Sequence, residues 1–220
     1  IYRSWVGLHP EAVLDDLEKL QNNYNVNGVN LYDSLFFVNI KRAKAILRGI
    51  IKRGLTLRLG NLDGRAKQLA EADDELWELL RDSRTYSILC GAESGDQESL
   101  DVIDKDMDVE DNYKFAEKCR QYGIKVIFST LVGIPMLNHT HQELTKKTNG
   151  QIDATIKMLD KFLSYDSRNR GQMFIYMPYP GTPLYDTAVK LGFQEPKHLD
   201  GWTHMRLYEK QTPWVTTKQA

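Results

Sequence analysis

What this sequence has little of narrows it first. Its 220 residues hold only two cysteines, Cys90 and Cys119. Each is flanked by residues that read as ordinary secondary structure, so a disulfide framework is not needed, and a reducing compartment, taken as the cytoplasm, is expected. No uninterrupted apolar run approaches the roughly 20 residues that cross a bilayer. Neither sign of charge dominates, since 29 Lys and Arg face 30 Asp and Glu, and no global field favours nucleic acid or an anionic membrane. The start carries no signal-peptide pattern. It opens on Ile1 rather than methionine, and the chain is therefore expected to be a piece of a longer one.

What is present is an alternation. Short apolar runs precede stretches of helical period five times. The strands are expected at residues 27–36, 55–64, 86–91, 125–133 and 172–181. Helices are expected at 39–53, ended by Gly54, then at 73–83 with an acidic first turn that suits the helix dipole, at 109–122, at 150–164, and through Leu184, Ala188 and Leu191 to Gly192. One more helix, residues 9–23, comes first with no strand before it, which implies a missing leading strand. Strand and helix in turn predict an α/β fold with a parallel sheet and right-handed crossovers. Residues 196–220, with Trp202 and Trp214 in a weak pattern, read as a packed extension of one domain spanning residues 1–195.

In such folds the loops leaving the carboxyl ends of the strands converge on one face. Those ends carry, in order, Asp33 and Ser34, then Asn61, Asp63 and Arg65, then Glu93 and Ser94, then Ser129 and Gly133, then Tyr179 and Gly181. Any one of them is explained as well by capping and turn chemistry. Five in a row favour a site.

The stretch "LCGAESGDQESL" poses the sharpest question, because a glutamate stands where a hydrophobic strand leaves the core, between Gly91 and Gly95. A plain turn, a helix N-terminus and a ligand site all fit the pattern. Asp96 can cap the following helix, which frees Glu93 to meet a cationic group such as an amine, or to pair with a neighbour such as Arg65. Asp33 invites the same two readings. Gly133, with Pro135 beyond, would let a flat group lie against backbone. In "MPYPGTPLYDTA" Thr182 can cap a helix begun by Pro183, but turn chemistry does not explain Tyr179 between Pro178 and Pro180. His139 and His141 lack a nearby carboxylate or cysteine and read as loop residues, so no metal ligands are expected in this chain.

"GAESGDQESLDVI", "GIKVIFSTLVGIP" and "MPYPGTPLYDTAVKLG", in this order, resemble the radical S-adenosylmethionine enzymes, above all the group that often carries a cobalamin-binding domain ahead of the barrel. The likeness covers about residues 4–193. It implies a partial (β/α)6 TIM-like barrel that here lacks its first strand and cluster loop, with S-adenosylmethionine across the strand ends on a [4Fe-4S] cluster. By position, Glu93 and Ser94 would contact the amino acid or ribose part. Ser129 and Gly133 would line adenine and ribose, Asp33 and Arg65 would face the pocket, and Pro178 and Tyr179 would lie beside adenine. No catalytic residue is assigned. The implied activity is reductive cleavage of S-adenosylmethionine to a 5′-deoxyadenosyl radical, with cobalamin-dependent methyl transfer in one branch and methylthiotransferase-like or rearrangement chemistry in others. An electron donor such as flavodoxin or ferredoxin and an unknown substrate would be the partners.

The chain departs from the family in two places. The CxxxCxxC cluster run is absent, so the cluster ligands are expected upstream, with Tyr2 and Arg3 read as residues just after that loop. After Gly133, "MLNHTHQELTKKTNG" stands where the family offers a Gly-Glu pair opening a helix. The rival from another class is a degenerate barrel that binds or interacts without a cluster. An aldolase-like barrel enzyme lacks the lysine it would need at a strand end.

Overall fold

All five anticipated strand positions form strands, though not with the anticipated ends. The computed structural model describes residues 5–137, 139–205 and 212–219, so Tyr2 and Arg3 lie outside the described residues. Strand β1 (Gly28–Asn30) pairs in parallel with β2 (Arg58–Gly60). Strand β3 (Leu62–Gly64) pairs in parallel with β4 (Ser87–Glu93), and the four-stranded order continues through β5 (Lys125–Val132) to β6 (Arg170–Ile175). The expected strand at 55–64 is split at Asn61, which adopts a left-handed φ of 55°. No register is lost there: Leu59 bridges Thr85 and Leu62 pairs with Ile88, so β2 and β3 are two halves of one line.

By its internal contacts the chain divides into two units, a division that composition does not signal. One comprises Ile1–Cys90 and Lys114–Ile127, the other Gly91–Tyr113 and Phe128–Ala220. β4 and β5 therefore give their amino halves to the first and their carboxyl halves to the second.

In the first unit, α1 (Pro10–Tyr24) packs on α2 (Ile40–Lys52). Gly49 leaves room for Leu14, whose Cδ1 stands 2.2 Å from where a β-carbon would be. Arg53, just past α2, gathers Glu11, Asp15 and Glu18 of α1 at 2.6, 2.8 and 2.8 Å. Asn39 caps α2 by accepting from Arg42 N. Helix α4 (Asp74–Asp82) is capped by Asp73, and Trp77 packs on Phe115 and Tyr122 of α6 (Val109–Tyr122). The short α3 (Ala66–Ala70), which the periodicity did not indicate, accepts the Trp77 indole N–H at Leu69 O.

In the second unit, α5 (Gln97–Val102) starts at its cap Asp96 as expected. Helix α7 (His141–Tyr165) starts well before the anticipated residue 150. The reason is a capping box: Glu143 N donates to Thr140 Oγ1 and Thr140 N donates to Glu143 Oε2 at 2.7 Å. Gly150, read as a helix start, is an interior position of that helix. Helix α8 (Tyr185–Lys190) follows β6, but Thr182 does not cap it. The Thr182 hydroxyl donates to Tyr179 O, and Leu184 stands at the cap with no side-chain bond. Trp214 and Val215 are fully buried among Val132, Ile134, Ile175 and Phe193.

Lys44 of α2 donates to Asp73 at 2.6 Å and to Glu75 at 2.8 Å, and Arg48 adds a second contact to Glu75. The bond to Lys44 is the first cause that holds both carboxyls below their usual range, helped by Leu76 N for Asp73 and by Arg48 for Glu75. A carboxyl depressed by folding contributes stability above its unfolded pKa and loses it as pH falls through the folded one. The thermal midpoint is therefore expected to fall as pH drops below about 4, and Lys44→Met to flatten that acid limb; an unchanged acid limb in a scan from pH 7 to pH 3 would refute the link.

Candidate functional site

The carboxyl halves of β4 and β5 set up the geometry. Along β4, Ile88, Cys90 and Ala92 are buried while Leu89, Gly91 and Glu93 are half-buried. Along β5, Val126, Phe128, Thr130 and Val132 are buried while Ile127, Ser129 and Leu131 are half-buried. The buried sets meet helices: Asn112 Nδ2 of α6 donates to Ala92 O and approaches the sulfur of Met158 on α7, and Phe128 stacks on Phe162 of α7 with centroids 4.1 Å apart. The half-buried sets, Glu93 and Ser129 among them, alternate with these along their strands.

Glu93 ends β4 in a left-handed conformation, φ 59°. For a residue with a β-carbon this costs on the order of 1–3 kcal/mol and persists only where its surroundings enforce it. Gly91 and Gly95 make room for it, each in its own way. A β-carbon on Gly95 would lie 2.4 Å from Ala154 O and 2.8 Å from Thr155 Cα, backbone atoms of α7 that cannot yield. Gly95 N also donates to Thr155 Oγ1 at 3.1 Å. A β-carbon on Gly91 would instead lie 2.5 Å from Glu93 Oε1, so the glutamate folds back over the strand into space that only glycine leaves.

The carboxylate so placed has 13% of its side chain exposed and takes the Lys105 ammonium at 2.7 Å. Its partner is thus Lys105 and not Arg65. Lys105 sits between Asp104 and Asp106, both left-handed with φ 52° and 48°. Ser94 is fully buried, and its hydroxyl accepts from Asp96 N at 3.1 Å, which gives it a turn role.

Gly133 follows β5 at φ 73°. It is buried, not bare: its N–H donates to Gln151 Oε1 at 2.8 Å, its carbonyl accepts from Trp214 Nε1 at 3.0 Å, and Val215 Cγ2 fills the β-carbon position at 2.7 Å. Pro178 is buried, while Tyr179 is 46% exposed and stacks on Trp202. That stacking, and the bonds its carbonyl accepts from Thr182, are what Tyr179 does between its two prolines.

Asp33 and Arg65 belong to the first unit. Asp33 lies past the end of β1, its carboxylate 3.7 Å from Arg42 Nη1, the ion pair foreseen as its plainer reading. Arg65 is exposed at the start of α3. Two open clefts in this unit, the larger about 420 Å³, are lined by Asn27, Thr56, Arg58 and Arg84 and by Gly28, Gly60 and Tyr86. The larger lies at residues that precede or open β1, β2 and β4, and the smaller runs along β1 and β2.

Among the described residues no group of three His, Cys, Asp or Glu could hold a metal ion. His139 Nδ1 and His141 Nε2 face the carbonyls of Leu137 and Leu191. Cys90 and Cys119 are buried and not in a disulfide, and burial first, then Cys90, pushes the Cys119 thiol well above its usual range. Cys119 is therefore not a ready thiolate. No helix of the described residues is long and apolar enough to cross a membrane.

No family model matches the chain. Among curated proteins it is 24% identical over 187 residues to an uncharacterized methyltransferase of Pyrococcus horikoshii, covering 85% of this chain and 37% of the relative. It is 26% identical to the anaerobic magnesium-protoporphyrin IX monomethyl ester cyclase of Cereibacter sphaeroides, covering 84% and 28%. A cytidylyl-2-hydroxyethylphosphonate methyltransferase of Streptomyces wedmorensis is 22% identical over 85% of this chain and 33% of its own. Among solved structures, the radical S-adenosylmethionine methyltransferase TsrM of Kitasatospora setae, solved with tryptophan and a S-adenosylmethionine analogue, superposes with a TM-score of 0.62 at 21% identity, covering 82% of this chain and 33% of that one. The cobalamin-dependent radical enzyme OxsB gives 0.61 at 18%, covering 86% and 32%. The chain thus spans about a third of these proteins. Its fold is the partial barrel of the radical S-adenosylmethionine enzymes, as the motifs implied.

The two glycines beside Glu93 are expected to respond differently to an added methyl group. Gly95→Ala meets backbone and is expected to cost about 1–3 kcal/mol or more in denaturant unfolding, whereas Gly91→Ala meets a movable carboxylate and is expected to cost less than about 1 kcal/mol. A structure of the Gly91→Ala variant should show the Glu93–Lys105 pair displaced; equal costs for the two changes would show the assignment wrong.

Proposed function

We propose that this chain is the barrel core of a radical S-adenosylmethionine enzyme that, as a complete protein, cleaves S-adenosylmethionine reductively, with cobalamin-dependent methyl transfer to an unidentified substrate as the outcome. The observation that carries the reading is the Glu93 niche. It is a mostly buried carboxylate at a strand end, held in a left-handed turn and already engaging an ammonium group. The relatives support the class, being methyltransferases and a cyclase, and the solved neighbours include proteins described with cobalamin, a [4Fe-4S] cluster or S-adenosylmethionine.

The residues fit the ligand in part. Glu93 suits the ammonium of the methionine half, and Ser129 is half-buried on the matching alternation of β5. Pro178 and Tyr179 are retained as neighbours of the nucleobase, while Asp33, beside Arg42, keeps its plainer role as an ion pair. Ser94 would act through the shape of the turn. S-adenosylmethionine, when bound and reduced, supplies a 5′-deoxyadenosyl group that takes hydrogen from a substrate. What this chain would add is orientation of the ligand by one buried charge, and exclusion of water by the apolar residues around it.

A [4Fe-4S] cluster does not fit the residues present. Two buried thiols cannot supply three ligands, so the cluster thiolates are proposed to come from outside these 220 residues, and an electron donor such as flavodoxin or ferredoxin from outside the protein.

The complete protein, reconstituted anaerobically with iron and sulfide, is expected to release 5′-deoxyadenosine, and this chain alone to release none. Release by neither would favour the rival, a barrel that binds without cleaving. By calorimetry, Glu93→Gln is expected to weaken S-adenosylmethionine about tenfold, the scale of one charge-assisted bond. Lys105→Gln, which removes the resident competitor, is expected to tighten it. Unaltered affinity in Glu93→Gln would remove the niche from the site.

A further inference from the structure

The exit of β5 is not shaped by the sheet. Val132 O still accepts a sheet-side bond from Tyr176 N, but the next residues take their partners from elsewhere. Gly133 N and Ile134 N both donate to the single oxygen Gln151 Oε1, at 2.8 and 3.2 Å. Gly133 O accepts from Trp214 Nε1. Pro135 has no N–H to offer. Two side chains, one from α7 and one from the C-terminal segment, thus satisfy both main-chain groups of the left-handed Gly133 and the N–H of Ile134, in a bend that is itself buried.

The C-terminal segment is anchored for this task. Thr145 Oγ1 of α7 donates to Trp214 O at 2.9 Å, and Gln219 Nε2 donates to Thr145 O and to Asn149 Oδ1, both at 2.9 Å. Thr216 N and its hydroxyl close on Gln219 Oε1. Trp214 is fully buried, and Val215 occupies the space beside Gly133 where any other residue would put its β-carbon. Such a set of bonds fixes one conformation of the bend, since releasing Trp214 would leave the buried Gly133 carbonyl without a partner.

We infer that Trp214 is a positioning residue for the nucleoside half of the ligand, acting through the Gly133 carbonyl, so that the C-terminal segment is a working part of the site rather than a packed tail. The inference rests on the proposed S-adenosylmethionine site and deepens it. Glu93 governs the amino acid half, through charge. Trp214 governs the nucleoside half, through the shape of the β5 exit, and touches no ligand atom itself.

The test separates the halves in the complete protein. Calorimetric affinities are measured for S-adenosylmethionine and for 5′-methylthioadenosine, which has the nucleoside but no amino acid, with thermal midpoints as a control on folding. Trp214→Phe keeps the ring and removes the N–H; it is expected to weaken both ligands alike, by about five- to tenfold, whereas Glu93→Gln weakens S-adenosylmethionine only. Should Trp214→Phe fail to fold, Thr145→Val, which frees only the Trp214 carbonyl, is expected to give the same paired loss at smaller size. Undiminished binding of both ligands in the folded variant, or loss of S-adenosylmethionine with 5′-methylthioadenosine unchanged, overturns the inference alone. Failure of the unaltered protein to bind either ligand overturns the proposed site and this inference together.

Discussion

The turn that carries Glu93 exists because the positions two residues before and two residues after it have no β-carbon. On one side α7 lies so close to Gly95 that even a methyl group would strike its backbone, and the Gly95 N–H is held by Thr155. On the other, the carboxylate lies across Gly91. Between these contacts the glutamate sits left-handed, and the strain it stores is offset by the packing around it. The placement of a nearly buried charge at a strand end follows from backbone contact, not from the preferences of glutamate itself.

The same logic governs the end of β5. A glycine at a positive φ permits the bend, but permission is not specification. The amide oxygen of Gln151 and the indole N–H of Trp214 select one bend out of those that glycine allows. The two strand exits thus share a design in which a flexible residue is held by a side chain or backbone segment from a later part of the chain. For a ligand that must be oriented to within fractions of an ångström, such external bracing is worth more than any intrinsic stiffness of the loop.

Much of the scaffold was legible because it is written in local signals. The acidic start and the Asp73 cap of α4, the glycine after α6 and the alternating faces of β4 and β5 all lie within a few residues of the element they mark. The start of α7 ahead of residue 150 has a local signal too, the Thr140-to-Glu143 spacing, which lies in a run of polar residues with little apolar period. The break between β2 and β3 at Asn61 had none, because a single left-handed residue that keeps register leaves the hydrophobic pattern unchanged. The rim was legible as a row of polar strand ends, though the tertiary structure gave several of them other duties, with Ser94 in the turn, Asp33 beside Arg42 and Tyr179 on Trp202.

By itself the sequence determined the succession of strands and helices, the faces they bury and the glycines at which the chain can turn, because periodicity, caps and turn residues act over a turn or two of chain. Only the tertiary structure decided which group each turn meets. Lys105 rather than Arg65 reaches Glu93, Thr155 lies 60 residues from the glycine it holds, and Trp214 lies 81 residues from the carbonyl it satisfies. No spacing in a single sequence encodes such pairs, since they arise when elements already formed are packed against one another and their leftover polar groups find the partners that packing brings near.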